Sequence, residues 1–473
     1  MPRFQAIATL ALAASVLSFA PLAASAQGVL DPSNPDVLVV GGTPAGVAAA
    51  VSAARRGETV TLVSGSGALG GILTGAEMDQ WDLNVTPAGK PVQAGLFTEI
   101  YDTLGDAFEP ATAEHFFATL IANEPRIAVR YDQVPLGITV SESTDGRRVD
   151  GVMFRDLHKN DAVVVHAPVV VDATDDGDIG AMAGARFDLG RQDTGLGTAM
   201  QAVTEMFTLT GVDWTATQRT YDPRKFGAGG TTVRTAWGYS KLLKEYRPLR
   251  GDIVVRDLNL GRMLDGSVTV NAIDVVGIDG LNPAQVEDAK QQTMHEAPHL
   301  VAYLRSRVPG FAQARVGRFA PQVYVRETRH LAGYERLTAF DIWLGRIPAD
   351  SIGLASYPLD THPVTANDHP AFAATRHIYG IPLGALLPKG FANLILASPA
   401  ISATYLAAGS ARTIPTTIEE GEAAGAAAAL VDRDHLDFEE LITSPERVAA
   451  LREDLVQNGA LVGEPTSTVV GKL

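Results

Sequence analysis

Apolar residues fall along this chain in short, dense runs, and the first of these sets the pattern. Val37 to Val40 is apolar throughout and rich in β-branched residues. It is followed by Gly41-Gly42-Thr43-Pro44-Ala45-Gly46 and then by the alanine-rich stretch Val47 to Arg56. After Gly57 comes a second apolar run, Thr59 to Val63, and then Leu69-Gly70-Gly71. A run without polar alternation predicts a strand covered on both faces. The alanines predict a helix, with Gly57 as its stop. Strand, glycine turn, helix and strand make the first βαβ unit of a dinucleotide-binding fold. Gly41 and Gly42 permit the tight turn, Gly46 lets the helix lie close, and the helix N-terminus offers free N–H groups and a positive dipole end to a phosphate. An ordinary βαβ turn without a ligand shares the same local pattern.

The pattern continues downstream. Ile72 to Trp81, with Gly75 and Glu77, suits either a cofactor-lining loop or a surface turn. Ala111–Asn123 predicts a helix and Ile127–Tyr131 a strand; Val149–Phe154 and Ala162–His166 belong to a β-meander, with Asp145-Gly146 in its turn. A buried strand at Val169–Val171 runs into Asp172-Ala173-Thr174-Asp175-Asp176-Gly177-Asp178. Those carboxylates fit three roles: holding a cation, accepting cofactor hydroxyls, or capping a helix that begins near Ile179. The spacing and downstream glutamate of a calcium loop are missing.

From about Arg191 to Arg376 the texture changes to short apolar runs with frequent Gly, Pro and Arg. Ala284–Arg307 reads as a helix pair broken near Pro298. His295-Glu296-Ala297-Pro298-His299 matches the H-E-x-x-H zinc pattern in form, but that pattern needs an intact helix, which proline opposes. No metal site is expected there. Arg326-Glu327-Thr328-Arg329-His330, after the strand-like Gln322–Val325, has the mixed charge of an ion-pair edge, and Tyr357–His362 is a proline turn dense in polar groups. A buried strand at Asn393–Ala397 precedes a long helix that starts near Pro415 and carries Gly421 and Gly425, small positions suited to close packing. Residues 434–473 read as a helix and tail.

Composition narrows the possibilities. At 473 residues the chain is too long for one ordinary core, so two domains are expected. A net charge of −16 with no basic block argues against nucleic acid and anionic membrane surfaces. The absence of cysteine excludes disulfides, thiolate metal sites, cysteine nucleophiles and cysteinyl flavin. Residues 1–26 have the form of a Sec-type signal peptide: Arg3, an apolar run, then Ala24-Ser25-Ala26 before Gln27. Cleavage after Ala26 would leave a periplasmic or secreted chain with no stable membrane span. Asn84-Val85-Thr86 fits the N-glycosylation pattern, relevant only in a eukaryotic secretory pathway.

These motifs, in this order, resemble the FAD-dependent oxidoreductase family of glutathione-reductase-like fold, whose bacterial members often carry a xanthan lyase label. The resemblance rests on Gly41–Gly46 with Leu69-Gly70-Gly71, Asp172–Asp178, Arg326–His330 with Gly333, Tyr357–His362, and Ile381 to Gly425. It implies an α/β architecture: a Rossmann-like FAD-binding domain, with a parallel sheet, helices and a β-meander, plus an α+β substrate domain. The division is 27–190 and 377–433 for the first, 191–376 for the second, with 434–473 as C-terminal helix and tail. It implies one extended FAD, with Gly41, Gly42, Thr43, Pro44, Ala45 and Gly46 at the pyrophosphate and Ser64 at the ribose position. Gly70 and Gly71 would lie near the flavin, Asp176 and Asp178 on the loop approaching it. Arg412 and Thr416 mark the helix N-terminus that faces the pyrimidine end. Negative charge builds there on reduction, so a helix dipole or a cation favours it.

Three positions depart from the family's pattern: Ser64 replaces a ribose-binding glutamate, Asp175 a glycine, and Ala397-Ser398-Pro399 an Ala-Gly-Arg. No second glycine fingerprint for NAD(P)H is present, so the electron donor or acceptor is unassigned. A polysaccharide lyase has no use for a flavin, and the lyase label is nomenclature. The expected activity is an exported oxidoreductase acting on a small organic substrate. Arg326, Arg329 and His362 are its candidate catalytic residues, His362 as the base because imidazole exchanges protons near neutral pH. Against it stand a non-catalytic protein with weakened FAD binding, and redox-neutral chemistry on the same scaffold.

Overall fold

The computed structural model describes residues 31–85, 90–143, 146–368, 372–373 and 377–463. The signal segment, Thr86 of the sequon, Asp145 of the meander turn, Arg376 at a domain boundary and the end of the tail lie outside the described residues.

The strand runs assemble as their patterning predicts. Strands β1 (Val37–Val40), β2 (Val60–Val63), β3 (Ile127–Arg130), β4 (Val169–Asp172) and β5 (Leu394–Leu396) form one parallel sheet in the order β5-β4-β1-β2-β3. Val37 lies opposite both Val60 and Val169. Every residue of β1, β2, β4 and β5 is buried, so no polar alternation survives in them. One face carries α1 (Pro44–Arg55) and α2 (Ile414–Arg433). The other packs Leu38, Val40 and Val170 against Val149, Val152 and Phe154 of an antiparallel meander, 133–143, 146–156 and 162–165.

α2 is buried along nearly its whole length and lies on α1 with backbone against backbone. A Cβ on Gly421 would sit 2.1 Å from the Ala45 carbonyl oxygen, and one on Gly425 2.2 Å from that of Ala49. The Ser52 hydroxyl donates to the Glu422 carbonyl at 2.6 Å, adding a polar tie. The carboxylates of α2 also organise the chain around it. Glu419 accepts from the backbone N–H of Ala94 and Leu354 at 2.9 and 3.1 Å, and Glu422 from Leu96 at 2.8 Å.

A second, antiparallel sheet of six strands lies between residues 207 and 319. Its inner face, with Phe207, Leu258, Leu260 and Val270, packs on Ala297, Leu300, Val301 and Leu304 of the helix Pro283–Arg305. That helix corrects the expected helix pair: it runs unbroken through Pro298. Pro298 and Met294, whose carbonyl loses its partner, both lie on the exposed side, while the apolar side stays packed, so burial holds a helix that local propensity would break. The C-terminal region likewise holds two helices rather than one, Phe438–Thr443 and Pro445–Gln457, started by Asp437 and Ser444 as caps. Gln322–Val325 forms only an isolated bridge, Tyr324 to Thr204. Among the described residues no helix is long and apolar enough to cross a membrane.

Gly425→Ala should lower stability by about 1–3 kcal/mol in chemical denaturation, the overpacking outweighing the ~1 kcal/mol gain in helix propensity. Gly251→Ala, where a Cβ meets nothing within 4 Å, should stay within ~0.5 kcal/mol of the parent.

Candidate functional site

The loops that leave the carboxyl ends of β1, β2, β4 and β5 meet at one edge of the parallel sheet, where such sheets bind ligands. Gly41 turns the chain with φ +122°, and a Cβ there would lie 2.2 Å from the Ala173 carbonyl oxygen. Thr43 caps α1: its hydroxyl accepts from Gly46 N–H and donates to the Ala173 carbonyl, both at 3.0 Å. A threonine at this position therefore locks the first turn to the fourth strand. Gly42 accepts from Gly70 N–H at 2.8 Å, which fixes the Gly70-Gly71 loop beside the turn. Ser64 is buried against Gly42 and donates its hydroxyl to the Ala68 carbonyl at 3.0 Å, committing its only proton within the loop.

The acidic loop after β4 divides its carboxylates among several tasks. Asp172 accepts from Gly180 N–H at 2.8 Å and from the Thr174 hydroxyl at 2.6 Å, and Thr174 accepts from Asp178 N–H at 2.7 Å. The capping role thus falls to Asp172 and Thr174. Asp176 accepts from the Thr328 hydroxyl at 2.5 Å, and Arg329 donates to the Asp176 carbonyl and to Asp178, both at 2.8 Å. Asp175 has no hydrogen-bond partner among the described residues and faces a cleft. Its side chain is exposed to that cleft. Desolvation by the surrounding chain, then the charges of Asp176 and Asp178, pushes its carboxyl up to about 7.

Thr43, Pro44, Ala45, Ile72 and Ala76 line one side of this cleft, and Tyr324, Arg412, Ile414 and Thr417 the other. The first turns of α1 and α2 therefore open on the same space. Thr416 is turned inward, its hydroxyl 3.0 Å from that of Thr413, and Thr417 takes the place on the wall.

Tyr324 and Arg412 also border a second cavity of about 490 Å³. His362 stands in its wall. Its Nδ1 lies 3.0 Å from Asp274, and its Nε2 3.6 Å from Asp360 and 3.4 Å from the Arg256 guanidinium. Asp274 also pairs with Arg326 at 3.2 Å and accepts from the Thr204 hydroxyl at 2.8 Å. Burial works to raise the Asp274 carboxyl, but the charges of His362 and Arg326 prevail and hold it well below the usual range. Asp360 is held low in the same way, by the His362 hydrogen bond and charge and by Arg412 and Arg256. An ionised Asp274 only accepts, so Nδ1 carries a proton and Nε2 is the nitrogen free to exchange one.

Of the candidate catalytic residues, the structure brings His362 and Arg326 to this cavity and sets Arg329 on the acidic loop instead. Arg326 is buried, donating to the Ala202 carbonyl at 2.8 Å, with its Nε unpartnered. Sequence reasoning missed Asp274, Arg256, Tyr324 and Asp82. Asp274 had a signal, as a lone acid within the apolar stretch Ala272–Val276. The His295 and His299 pair lies on the exposed side of its helix, but Glu296 turns inward to the Tyr246 hydroxyl and Leu249 N–H, and His299 Nε2 faces the Arg247 carbonyl. The motif serves packing.

The sequence profile of the family described as FAD dependent oxidoreductase matches residues 36–455. No curated protein matches the chain. Among solved structures, it is similar to a geranylgeranyl bacteriochlorophyll reductase-like protein from Thermoplasma acidophilum, at 15% identity and TM-score 0.40, covering 90% of this chain and 83% of that one. It is also similar to p-nitrophenol 4-monooxygenase from Pseudomonas putida DLL-E4, at 12% identity and TM-score 0.43, covering 89% and 85%. A flavin-dependent brominase matches at 11% identity and TM-score 0.44, covering 89% and 84%. On the profile match, the chain belongs to the FAD-dependent oxidoreductase family, and FAD is its cofactor. Nothing in these matches supports a lyase.

The cleft fits that cofactor in its donors. Two helix N-termini face it, and the buried Arg412 Nε has no hydrogen-bond partner among the described residues. One side chain is discordant, since an ionised Asp175 beside the first turn of α1 opposes an anionic pyrophosphate. Asp175 ionises as pH rises through about 7, so FAD should bind more weakly at pH 8.5 than at pH 6. Asp175→Asn should bind about fivefold tighter than the parent at pH 8.5 and lose most of the pH dependence, as measured by quenching of FAD fluorescence.

Proposed function

We propose that this flavoprotein exchanges hydride between its FAD and a small polar organic substrate held in the 490 Å³ cavity. The observation that carries the reading is the shared wall: Tyr324 and Arg412 border both the cofactor cleft and the cavity where His362 is poised. The flavin supplies two-electron redox chemistry when bound. The chain's own residues do the rest. In this reading Gly41 to Gly46, Ser64, Gly70, Gly71, Asp176 and Asp178 shape the cofactor side. The α2 N-terminus and Arg412 favour negative charge at the pyrimidine end. His362 Nε2 takes or returns the substrate proton, with Asp274 fixing the tautomer and Arg326 fixing Asp274. Residues 191–376 form the substrate side. The electron partner is a separate donor or acceptor, because no second dinucleotide fingerprint is present.

Purified protein should keep a flavin spectrum through desalting, and a screen of small polar alcohols and acids should find one that bleaches it anaerobically. With that substrate, His362→Gln should retain the flavin and lose turnover by about two orders of magnitude. A folded but colourless protein that takes up no added FAD would remove the redox reading and leave the non-catalytic one.

We propose further that the protein acts after export. Expressed with its full N-terminus in a Gram-negative host, it should be recovered from the periplasm or medium beginning at Gln27. A cytoplasmic chain retaining residues 1–26 would contradict this.

A further inference from the structure

The antiparallel sheet turns one face to its core and the other to the 490 Å³ cavity. On the cavity face, three residues stand in one row across three neighbouring strands. Trp237 is opposite Asn259, and Asn259 is opposite Asn271. The residues beside them in each strand, Ala236, Leu258, Leu260 and Val270, point into the core, as period-two alternation requires. The Trp237 ring lies over Gly230, where a Cβ would meet it at 2.9 Å, and the side chain is still 43% exposed. It therefore has a supported side and an open one. Neither asparagine amide makes a hydrogen bond among the described residues. Two unused amides and an open indole, spaced by the sheet at roughly 5 Å intervals, line one wall of a cavity.

The charged groups opposite them are already matched. Arg326 faces Asp274 at 3.2 Å, and Arg256 faces Asp360 at 3.3 Å. Arg412 donates to the Tyr324 hydroxyl at 2.6 Å and lies 3.9 Å from Asp360. Each guanidinium thus has a carboxylate or hydroxyl partner, with only the Nε of Arg256, Arg326 and Arg412 lacking a hydrogen-bond partner among the described residues, and four carboxyl groups in the wall, Asp82, Asp257, Asp274 and Asp360, outnumber the three guanidinium groups. Asp82, whose one hydrogen-bond partner among the described residues is the Tyr357 hydroxyl at 3.2 Å, adds a further carboxyl and no cation to the wall. Aliphatic side chains are nearly absent from the lining, so an apolar substrate gains little there.

We propose that this cavity binds an uncharged polyhydroxylated molecule of the sugar or polyol class, with Asn259 and Asn271 reading adjacent hydroxyls and Trp237 covering a C–H face. Each amide offers both acceptor and donors, as vicinal hydroxyls do, and the negative face of the indole complements polarised C–H groups. The volume falls within the range of small-molecule sites, roughly 300–1,000 Å³. As a substrate assignment the inference rests on the redox reading of the cavity; as a binding assignment it stands on the sheet row.

The test is calorimetric titration of the purified protein, its flavin content recorded first, with D-glucose, D-mannose and myo-inositol, and with D-glucuronate, D-glucosamine and 1-hexanol as comparisons. At least one neutral polyol should bind. Asn259→Ala and Asn271→Ala should each weaken it about fivefold to tenfold, while Trp237→Phe retains most of the affinity. Glucuronate, glucosamine and hexanol should bind less tightly than that polyol. Failure of all three neutral polyols, tighter binding of a charged or apolar probe, or binding indifferent to both asparagines overturns the proposal. A flavin-loaded protein that fails these titrations keeps the redox reading and loses the substrate class. A flavin-free protein that passes them keeps the binding site and loses the redox reading.

Discussion

The contact on which the site depends is the one between the backbones of α1 and α2. Gly421 lies against Ala45 and Gly425 against Ala49, so the two helices run in the same direction with a fixed register. α2 begins at Ile414, seven residues before Gly421, whereas Ala45 is in the first turn of α1. At ~1.5 Å per residue, the N-terminus of α2 reaches about 10 Å beyond that of α1. Two positive helix ends therefore open on one cleft at different positions along it, suited to the separate electron-rich parts of an extended dinucleotide. A side chain at either glycine would force the helices apart and uncouple these two ends.

The sheet and its flanking helices were legible because their signals are local. Double burial removes polar alternation from β1, β2 and β4, and the glycine turn, the alanines and Pro415 mark helix limits within a few residues. The site was legible only in part. His362 could be nominated, but its partner Asp274 lies 88 residues earlier in a two-residue strand, and no local pattern joins them. Thr416 was nominated where Thr417 lines the cleft: Pro415 sets where the helix begins, but its rotation, about 100° per residue, is set by packing on α1. Pro298 misled for the same reason. A proline on the solvent side costs little beside four buried apolar residues on the other.

Charge divides the molecule into two regimes. Where a guanidinium or imidazole stands within reach, as at Asp274 and Asp360, attraction outweighs burial and the carboxyl is held low. Where the nearby donors and cations are too weak to offset desolvation, burial prevails: Asp172 and Asp79 are pushed up to about 6, and Glu422 to about 7. The first kind supports folding above the ordinary carboxylate range and loses that support as pH falls through the lowered value. The second kind supports it below that range and loses it as pH rises through about 6 to 7. Asp274 and Asp360 of the cavity wall belong to the first regime, and Asp82 and Asp257 of the same wall, with Asp175 of the cofactor cleft, to the second. Near neutrality Asp274 and Asp360 therefore stay ionised while the cofactor side changes charge.

The antiparallel half is more than a cover over the flavin side. Asp274 sits in a strand pair with Val254 and Thr204, so the carboxylate that fixes His362 is positioned by that half. His362 itself arrives on the turn after Tyr357, held by a hydrogen bond from its backbone N–H to Gln201 at 2.8 Å. Gln201 N–H in turn donates to Glu327 at 3.1 Å, and Glu327 meets His330 at 2.7 Å, within the stretch whose Arg329 clamps the acidic loop. These hydrogen bonds, with the backbone from Glu327 to His330, thus link the acidic loop beside the cofactor cleft to His362 and Asp274. A displacement of the antiparallel half by about 1 Å would stretch the 3.0 Å contact of Asp274 with His362 beyond hydrogen-bond range and leave the strands of the parallel sheet untouched, because none of them comes from that half. The setting of His362 is therefore more sensitive to how the two halves meet than is the cofactor cleft's first turn, which is anchored in the parallel sheet.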